Sequence, residues 1–421
     1  MISAEIITVG TEILMGQILN SNARYISARL ADMGVNLYHH ITVGDNHQRL
    51  LSAIKEGFSR ADVLIFTGGL GPTEDDITKE VVAEAMGLGE LQLHDESKAA
   101  LEARFKASGY ACTPNNYKQA MFPIEGCTVL PNPNGSAPGC IMEKDGKAAI
   151  LMPGPPWEME PMFEAQAVPF FERRSGQVFH SRTIRIFGMG ESQVAHSIRD
   201  ITAAQENPTI APYATAGETT LRVTARCKDH DQGEAMVQPV IDAICGRVGE
   251  FVYSTHGRGM EEVCALLLER AGLKLAVAES CTGGLVASRL ISVPGSSQWF
   301  LEGSVAYSPA AKIRTLGVKE ATLNEFTDVS AETACEMAEG IRRLTGADIG
   351  LSTTGYAGPG GAAGQVGRVF VGLSSVAGTQ AGEFTFRGNR QRVRDLAVLN
   401  ALNLVRKFIL NNACNLEDKV L

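Results

Sequence analysis

Short apolar runs alternate with amphipathic stretches through the first 170 residues. Residues 4–10 and 61–67 are continuous apolar runs typical of buried strands, and residues 35–44 have the pattern of a further strand. The apolar spacing of helices recurs in three stretches, at residues 22–34, 48–58 and 156–170. Strands that alternate with helices predict parallel βαβ units, and therefore a doubly wound α/β sheet.

The pattern changes twice further along the chain. Residues 174–254 indicate a strand, a helix, a strand of alternating polarity and a second helix, which together predict a small α+β module. From residue 256 strands and helices alternate again, and the pattern ends in a long amphipathic helix. We therefore expect two doubly wound α/β domains, at residues 1–172 and 256–415, joined by a small α+β middle domain at residues 173–255.

The composition agrees with this organisation and excludes several classes of protein. At ~150 residues per domain, a chain of 421 residues has room for about three domains. A net charge of −9 argues against non-specific binding to nucleic acid or to an anionic membrane. There is no signal-peptide pattern and no apolar run of about 18 residues. Nine scattered cysteines without a CxxC motif predict free thiols and a cytoplasmic protein.

Two glycine-rich turns follow predicted strands near the N-terminus. In an open parallel sheet such turns cluster beyond the carboxyl ends of the strands, where ligands bind. Gly68, Gly69 and Gly71 would let backbone N–H groups approach an anion closely. A helix predicted to start near Thr73 would add its positive end to the same site.

Three carboxylates accompany these turns, and each has two interpretations. Asp75 and Asp76 either hold a divalent cation that bridges the anion or only complement the N-terminus of a helix. Glu12 is either half of a capping box or a carboxylate of the site. The spacing alone leaves both interpretations open.

The segment LAVAESCTGG, at residues 275–284, places a serine at a strand-to-helix junction. Ser280 is there either the N-cap of the helix, with Glu279 as a solvated neighbour, or a nucleophile. In the second interpretation, the N–H groups of Cys281 to Gly283 would stabilise the oxyanion that forms when the hydroxyl attacks a carbonyl. Cys281 is a competing nucleophile, because a helix N-terminus would lower the pKa of its thiol. We favour a packing role for it.

The base that would activate Ser280 is not a histidine of the same domain, because residues 257–421 contain none. Lysine, tyrosine and the carboxylates are the other bases, and Ser-Lys pairs are an established arrangement. Tyr307 and Lys312 follow the next predicted strand, whose end meets that of the first strand in a parallel sheet. Lys312 is a base if it is buried, and otherwise an ordinary surface lysine.

Two further segments of the C-terminal domain have the composition of a ligand site. Thr354 and the glycines that follow it, at residues 355–361, come after an apolar strand and suit a loop around a phosphate or ribose. Arg390 and Arg394 share one face of the last helix, where they either clamp a phosphate or are solvated helix charges.

Four motifs at the front of the chain occur in the order GTE…GQILNSN, TGGLGPTEDD, NPNGSAPG and MPGPP. Together they resemble the molybdopterin-binding (MoaB/MogA-like) domain found at the front of the CinA family. The resemblance implies metal-dependent cleavage of the pyrophosphate of ADP-ribose. It implies a site formed by Glu12, Asn20, Asn22, Gly68, Gly69, Gly71, Thr73, Asn134 and Gly135, with a divalent metal at Asp75 and Asp76.

The back of the chain carries AESCTGG, PGSSQWFLEGSVAYS, AK…LGV, TGYAGPGG and RxxVR in that order. These motifs resemble the CinA C-terminal domain, a nicotinamide-mononucleotide amidohydrolase that needs no cofactor. The resemblance implies that Ser280 is the nucleophile and that Tyr307 and Lys312 activate it. It implies substrate contacts from Glu279, Thr282, Gly283, Thr354, Gly355, Gly358, Arg390 and Arg394.

The resemblance also covers the middle segment, which is KH-like in this family, although no GxxG motif with a basic surround stands out. We therefore expect no direct contact with nucleic acid. The implied partners are nicotinamide mononucleotide, ADP-ribose and a second copy of the chain, and no membrane. Pro309, Tyr356 and a short loop at residues 360–367 depart from the family pattern. The alternatives are a ligand-binding regulatory protein tied to DNA uptake and a molybdopterin-handling enzyme.

Overall fold

The computed structural model describes residues 2–176, 178–215, 217–359 and 365–412. They form two compact units, one comprising Met1–Ser181 and Thr224–Met236, the other Arg182–Val223 and Val237–Leu421. Most of the loop expected to be short, residues 360–364, lies outside the described residues. In the described ranges, no helix is long and apolar enough to cross a membrane.

The described residues 2–176 contain eight strands, of which six form the main sheet of the first unit. The strands are β1 (Ser3–Val9), β2 (Asn36–Val43), β3 (Val63–Thr67), β4 (Leu91–Leu93), β5 (Met121–Pro123), β6 (Cys127–Leu130), β7 (Gly139–Lys144) and β8 (Lys147–Met152). The main sheet has the order β2-β1-β3-β8-β7-β6. Strands β2, β1, β3 and β8 are parallel, whereas β6 and β7 are antiparallel. The doubly wound parallel part was predicted; the short antiparallel strands have too few residues for a clear pattern.

The helices of this unit cover both faces of the sheet. They are α1 (Thr11–Leu14), α2 (Ser21–Asp32), α3 (His47–Arg60), α4 (Thr78–Met86), α5 (Asp95–Ser108), α6 (Pro156–Met162) and α7 (Val168–Ser175). One apolar cluster joins α2 and α6 to one face, and another joins α3 and α4 to the opposite face. Strands β1, β3 and β8 are buried on both sides, which explains their continuous apolar runs.

The middle of the chain forms a four-stranded sheet of order β10-β11-β9-β12. Its elements are β9 (Val178–Phe187), α8 (Glu191–Ser197), α9 (Arg199–Ala203), β10 (Thr209–Thr215), β11 (Glu218–Cys227), α10 (His230–Val248) and β12 (Val252–Ser254). The predicted α+β character is therefore present. The boundary between the two compact units passes through β9, β11 and α10.

The rest of the second unit is a five-stranded sheet of order β14-β13-β15-β16-β17. Its strands are β13 (Leu275–Glu279), β14 (Phe300–Val305), β15 (Ile349–Gly355), β16 (Arg368–Ser375) and β17 (Gly378–Thr385). Its helices are α11 (Met260–Ala271), α12 (Leu285–Ile291), α13 (Pro309–Leu316), α14 (Glu320–Phe326), α15 (Ala331–Thr345) and α16 (Arg390–Asn412).

Parallel pairing places the carboxyl ends of three of these strands side by side. Central strand β13 is parallel to β14 on one side and to β15 on the other. Glu279, the last residue of β13, lies between Val305 and Thr353 in the register. Residues that follow these positions therefore meet at one edge of the sheet, as the sequence predicted.

Candidate functional sites

The ends of β1, β3 and β8 surround a cavity of about 630 Å³ in the first unit. Gly68 lines it with a φ of +97°, and a Cβ at this position would lie 2.2 Å from the carbonyl oxygen of Val9. Only glycine fits such a backbone, which lies at the cavity wall together with Gly69, Gly71 and Gly154. Gly68 itself is buried, and its N–H donates to Met152 O at 3.1 Å, so it is not an anion donor as predicted. The N–H groups of Gly69 and Gly71 donate to no carbonyl in the described chain, which suits an anionic ligand.

Three polar side chains that line this cavity each have one buried oxygen atom without a hydrogen bond. Asn22 Oδ1, Thr67 Oγ1 and Gln119 Oε1 have no partner in the part of the chain that the structure describes. Asn22 is oriented by its amide, which donates to Gly154 O at 2.7 Å. Buried polar atoms without partners are rare and costly, so they indicate a polar ligand. Sequence reasoning missed both Thr67, which begins the TGGLGPTEDD motif but was not selected from it, and Gln119, which lies in no motif.

The acidic turn beside this cavity differs from the prediction. No helix starts near Thr73; α4 begins at Thr78, and its hydroxyl donates to Gly68 O at 3.0 Å. Thr73 instead closes a turn, since its N–H and hydroxyl both donate to Asp76 Oδ2. Asp75 and Asp76 therefore lie just before the first turn of α4, and their helix-dipole interpretation stays a prediction.

The donor set of the expected metal is incomplete. Asp75, Asp76 and Glu12 line the same cavity. However, the described residues contain no group of three or more His, Cys, Asp or Glu side chains that could hold an ion. One or two carboxylates suffice for a magnesium ion only when water or substrate phosphate supplies the other ligands. The residues present thus do not fit a metal held by the protein alone.

Three other expected residues of this site have different roles. Asn20 caps α2, because its Oδ1 accepts the N–H of Ala23, and its amide donates to Thr8 Oγ1. Asn134 and Gly135 line a neighbouring cavity of about 720 Å³ rather than the glycine-lined one. These corrections share one cause. A sequence motif identifies residues that are close along the chain, but it does not determine which cavity each of them contacts.

In the second unit, Ser280 directly follows β13 and is 6% exposed. Its N–H donates to Thr353 O at 2.9 Å, which fixes the backbone at the edge of the sheet. Its side chain is not the N-cap of α12; Gly284 holds that position. Within the described ranges, the Ser280 hydroxyl has no protein hydrogen-bond partner. It is therefore available to a ligand.

The turn after Ser280 supplies two N–H groups, not three. Gly283 N–H donates to Ser280 O at 3.1 Å, so it is not an oxyanion donor. The N–H groups of Cys281 and Thr282 donate to no carbonyl in the described chain. Arg394 holds this turn through a 2.7 Å hydrogen bond to Thr282 O.

Glu279 is neither solvated nor placed to bind a substrate. Its side chain is fully buried, and its carboxylate accepts the N–H groups of Gly284, Val286 and Ala287 at 2.9 to 3.1 Å. A buried carboxylate in this position satisfies the first turn of α12 and complements the positive end of the helix. It shapes the Ser280 turn from behind.

Lys312 is fully buried, so it is not an ordinary surface lysine. Its ammonium donates to the carbonyl oxygen of Asp328 and, at 3.0 Å, to Thr354 Oγ1. The Asp328 carboxylate lies 3.4 Å away. Burial lowers the pKa of Lys312, while Asp328 opposes the shift. Sequence reasoning missed Asp328, because no motif includes it.

The remaining expected residues form the outer part of this site. Tyr307 is 60% exposed, and its hydroxyl accepts a hydrogen bond from Arg390 at 3.2 Å. Arg390 also donates to Gly358 O at 2.7 Å. Gly355 ends β15, where a Cβ would lie 2.8 Å from the carbonyl oxygen of Arg368. The absence of a side chain at Gly355 therefore allows close strand packing, and its contact with substrate stays a prediction.

Two departures from the family pattern are accommodated by the structure. Pro309 is the first residue of α13, where a missing N–H is harmless, and Ser308 caps the helix by accepting the N–H of Ala311. Tyr356 packs against the apolar cluster that contains Phe370. Neither residue disturbs Ser280 or Lys312.

Cys281 is 6% exposed, and burial raises the pKa of its thiol to about 11. The idea that a helix N-terminus lowers this pKa is wrong, because desolvation dominates. A neutral, buried thiol is a poor nucleophile. The packing role is therefore the better interpretation of this residue.

Comparison with known families covers nearly the whole chain. Residues 5–173 match a model described as a probable molybdopterin binding domain. Residues 181–254 match the damage-inducible protein CinA KH domain, and residues 258–409 match the CinA C-terminal domain. A "Putative competence-damage inducible protein" of Clostridium botulinum is 47% identical over 96% of this chain and 99% of its own length. The chain belongs to the CinA family.

One further relative is similar over nearly the whole chain, and a solved structure over part of it. A CinA-like protein of Kosmotoga olearia is 47% identical over 97% of this chain and 99% of its own length. Among solved structures, the protein CinA of Thermoplasma acidophilum is 35% identical, with a TM-score of 0.37. It covers 40% of this chain and 96% of its own. The names of these relatives state no reaction.

Proposed function

We propose that the C-terminal part of this CinA-family chain hydrolyses the carboxamide of nicotinamide mononucleotide, with Ser280 as the nucleophile. The observation that carries the proposal concerns the Ser280 hydroxyl and the neighbouring N–H groups of Cys281 and Thr282, which bond to no group in the part of the chain that the structure describes. A hydroxyl next to two backbone donors is the arrangement that acyl transfer needs, because the donors stabilise the oxyanion.

The reaction follows from this arrangement. Ser280 Oγ attacks the amide carbon and loses its proton to a base, and the two N–H groups stabilise the tetrahedral oxyanion. Ammonia leaves after the amide nitrogen gains a proton. Water then cleaves the ester on Ser280 and releases the carboxylic acid. Lys312 is proposed as the base, because burial favours its neutral form.

The substrate phosphate is proposed to lie near the outer part of the site. Arg390 bridges Tyr307 and Gly358, so it already joins two loops of the site. Arg394 holds the Ser280 turn through Thr282 O. One guanidinium group on the Ser280 turn and a second at Tyr307 and Gly358 favour a phosphorylated amide over an uncharged one.

The test is ammonia release from nicotinamide mononucleotide by the full chain. Ser280→Ala is expected to reduce kcat by about a thousandfold or more, as removal of a nucleophile does. Ser288→Ala is the matched control, since Ser288 is an exposed serine of the following helix. Activity that persists in Ser280→Ala would overturn the assignment.

We propose a second activity, cleavage of ADP-ribose at its pyrophosphate, in the glycine-lined cavity of the first unit. The observation that favours it is the set of unpartnered buried atoms on Asn22, Thr67 and Gln119. These atoms would form hydrogen bonds with polar groups of the ligand. Backbone N–H groups of the glycine-lined wall would donate to the pyrophosphate oxygens. A divalent cation would enter with the substrate, held by Asp75 or Asp76 together with phosphate oxygens, and would stabilise charge on the leaving group.

The second activity is tested by release of AMP and ribose 5-phosphate from ADP-ribose, with magnesium and with EDTA. Asn22→Leu is expected to abolish turnover, because it removes a polar group from the cavity. Asn134→Leu, which alters the neighbouring cavity, is expected to have a smaller effect. The reverse order would show that the substrate occupies the other cavity.

A further inference from the structure

Asp328 lies between α14 and α15 and contacts Lys312 through two of its atoms. Its carbonyl oxygen accepts from the Lys312 ammonium and also from the Thr354 hydroxyl, at 2.7 Å in the latter case. Its carboxylate lies 3.4 Å from the same ammonium. The three donors of Lys312 are thus matched by the Asp328 carbonyl, the Asp328 carboxylate and the Thr354 hydroxyl.

The turn that presents Asp328 is strained. Thr327 has a φ of +70° and a ψ of 174°, a backbone conformation that is strained for a β-branched residue. Its carbonyl is tied by the hydroxyl of Thr333 at 2.8 Å and by that of Ser330 at 3.4 Å. Ser330 is at the same time the N-cap of α15. A strained turn that the start of a helix holds in place is typical of functional sites.

This strain has a geometrical consequence at the lysine. A relaxed turn would carry the carbonyl and carboxylate of Asp328 away from Lys312, which has no water-exposed surface on which to find other partners. The buried ammonium would then keep only the Thr354 hydroxyl as an acceptor, which is costly. The turn therefore decides where the lysine nitrogen lies relative to Thr354 and the adjacent Ser280 turn.

We propose that Asp328 is a positioning residue for the amidohydrolase: presented by the Thr327 turn, it fixes the place and the charge of Lys312 for the attack by Ser280. The proposal rests on the function proposed above for the second unit. Asp328 contacts no reacting atom in this scheme and acts through Lys312 alone.

The direction of the pH effect follows from the groups that face Lys312. Asp328, from the turn after α14, stabilises the ammonium, as does Cys281, from the turn after β13, in its ionised form. Cys281 is neutral at ordinary pH because burial raises its pKa to about 11. Thr354 on β15 is uncharged. The Asp328 carboxylate is therefore the charge that holds the lysine proton, and its removal lowers the pKa of Lys312.

The experiment compares the pH profile of kcat for the wild-type chain and Asp328→Asn. A base works in its neutral form, so activity rises with pH through the pKa of Lys312. In Asp328→Asn the rising limb is expected to move to lower pH by about one unit or more. The plateau is expected to fall about tenfold or more, because the lysine is less well placed. Asp328→Glu, which keeps the charge, is expected to restore the position of the limb.

A second readout does not depend on turnover. The titration of Lys312 is followed by NMR of the full chain labelled with ¹³C at lysine Cε, and the signal is assigned with Lys312→Arg. Its midpoint is expected to fall in Asp328→Asn and to remain unchanged in Glu332→Gln. Glu332 is an exposed carboxylate in the first turn of α15, so it controls for general loss of charge.

The two readouts separate the possible failures. A wild-type chain without activity on nicotinamide mononucleotide overturns the proposed function, and the NMR titration then decides alone whether Asp328 sets the charge of Lys312. An active wild type with an unmoved pH limb and an unmoved Lys312 titration in Asp328→Asn overturns the role of Asp328. An equal effect in Glu332→Gln overturns it as well, since any nearby charge would then suffice.

Discussion

The two candidate sites lie at the same place in their sheets but are built differently. Both follow the carboxyl ends of parallel strands, where turns converge. The cavity of the first unit has a glycine backbone and three buried polar atoms without partners. In the second unit, Lys312 and Thr354 are hydrogen-bonded to each other and to Asp328. Among the residues that the structure describes there, the Ser280 hydroxyl and the N–H groups of Cys281 and Thr282 have no protein partner.

This difference suits the first site to ligand recognition and the second to catalysis. Unpaired amide and hydroxyl groups in a roomy cavity are suited to recognising a polar ligand, whose binding satisfies them. A fully paired lysine beside one unpaired hydroxyl is suited to chemistry, because the reacting group is held in place before the substrate arrives. The first site is therefore expected to be sensitive to cavity shape, and the second to single functional groups.

The largest expected effect concerns cavity shape. Gly68→Ala places a Cβ 2.2 Å from Val9 O at a φ of +97°, so we expect a loss of more than about 2 kcal/mol of stability in the first unit. Binding of ADP-ribose is expected to disappear, whereas ammonia release from nicotinamide mononucleotide should stay within about twofold of wild type. Calorimetric unfolding, ADP-ribose titration and the ammonia assay measure these three outcomes.

Gly154→Ala is the matched control for this substitution. Gly154 lines the same cavity, but its added Cβ would meet only Gly68 Cα, at 3.7 Å, which is an ordinary contact. Its stability is expected to equal that of wild type. If both variants lost stability equally, the special role of the Gly68 backbone would be contradicted.

A smaller effect is expected at the buried carboxylate behind Ser280. Glu279→Gln keeps the shape of the side chain but leaves one oxygen for the three N–H groups that Glu279 now accepts. We expect a loss of about 1–3 kcal/mol in the second unit and a fall in activity, because the Ser280 turn loosens. Glu302→Gln, at an exposed position of β14, should leave the unfolding transition unchanged.

Much of this architecture could be read from the sequence, and what could not has a physical reason. Apolar periodicity predicted the parallel strands and the helices on either side, because burial on two faces leaves a continuous pattern. Strands β16 and β17 escaped prediction, since they follow a glycine-rich loop and carry no motif. Glu279 was misjudged, because its burial depends on which way one side chain turns.

Contacts between residues that are distant along the chain could not be predicted from the sequence either. Asp328 reaches Lys312 from 16 residues away, and Thr354 from 42. Neither separation matches a local spacing rule, so only the folded chain shows that these groups meet. The motifs identified Ser280 and Lys312 as candidates, whereas the contact between Asp328 and Lys312 was found only in the structure.

A still smaller effect tests the strained turn at Thr327. Thr327→Gly relieves the backbone strain but adds flexibility to the unfolded chain, so a net gain of about 0.5 kcal/mol is expected. Thr327→Ala keeps a Cβ at the same φ and should bring no gain. Both are measured as the midpoint of the thermal transition of the second unit. A loss of stability in Thr327→Gly would contradict the presence of strain.

The smallest expected effect is at Cys281. Its measurement decides whether Ser280 or Cys281 is the nucleophile. With a pKa of about 11, this thiol has about one thousandth of its molecules ionised at pH 8. Iodoacetamide at that pH should therefore leave it largely unmodified in the folded chain, as peptide mass spectrometry would show. Cys281→Ala removes a packing contact but no reacting group, so ammonia release should stay within about twofold of wild type. If Cys281→Ala were inactive and Ser280→Ala active, the thiol would be the nucleophile, and the paired network around Lys312 would serve a different group.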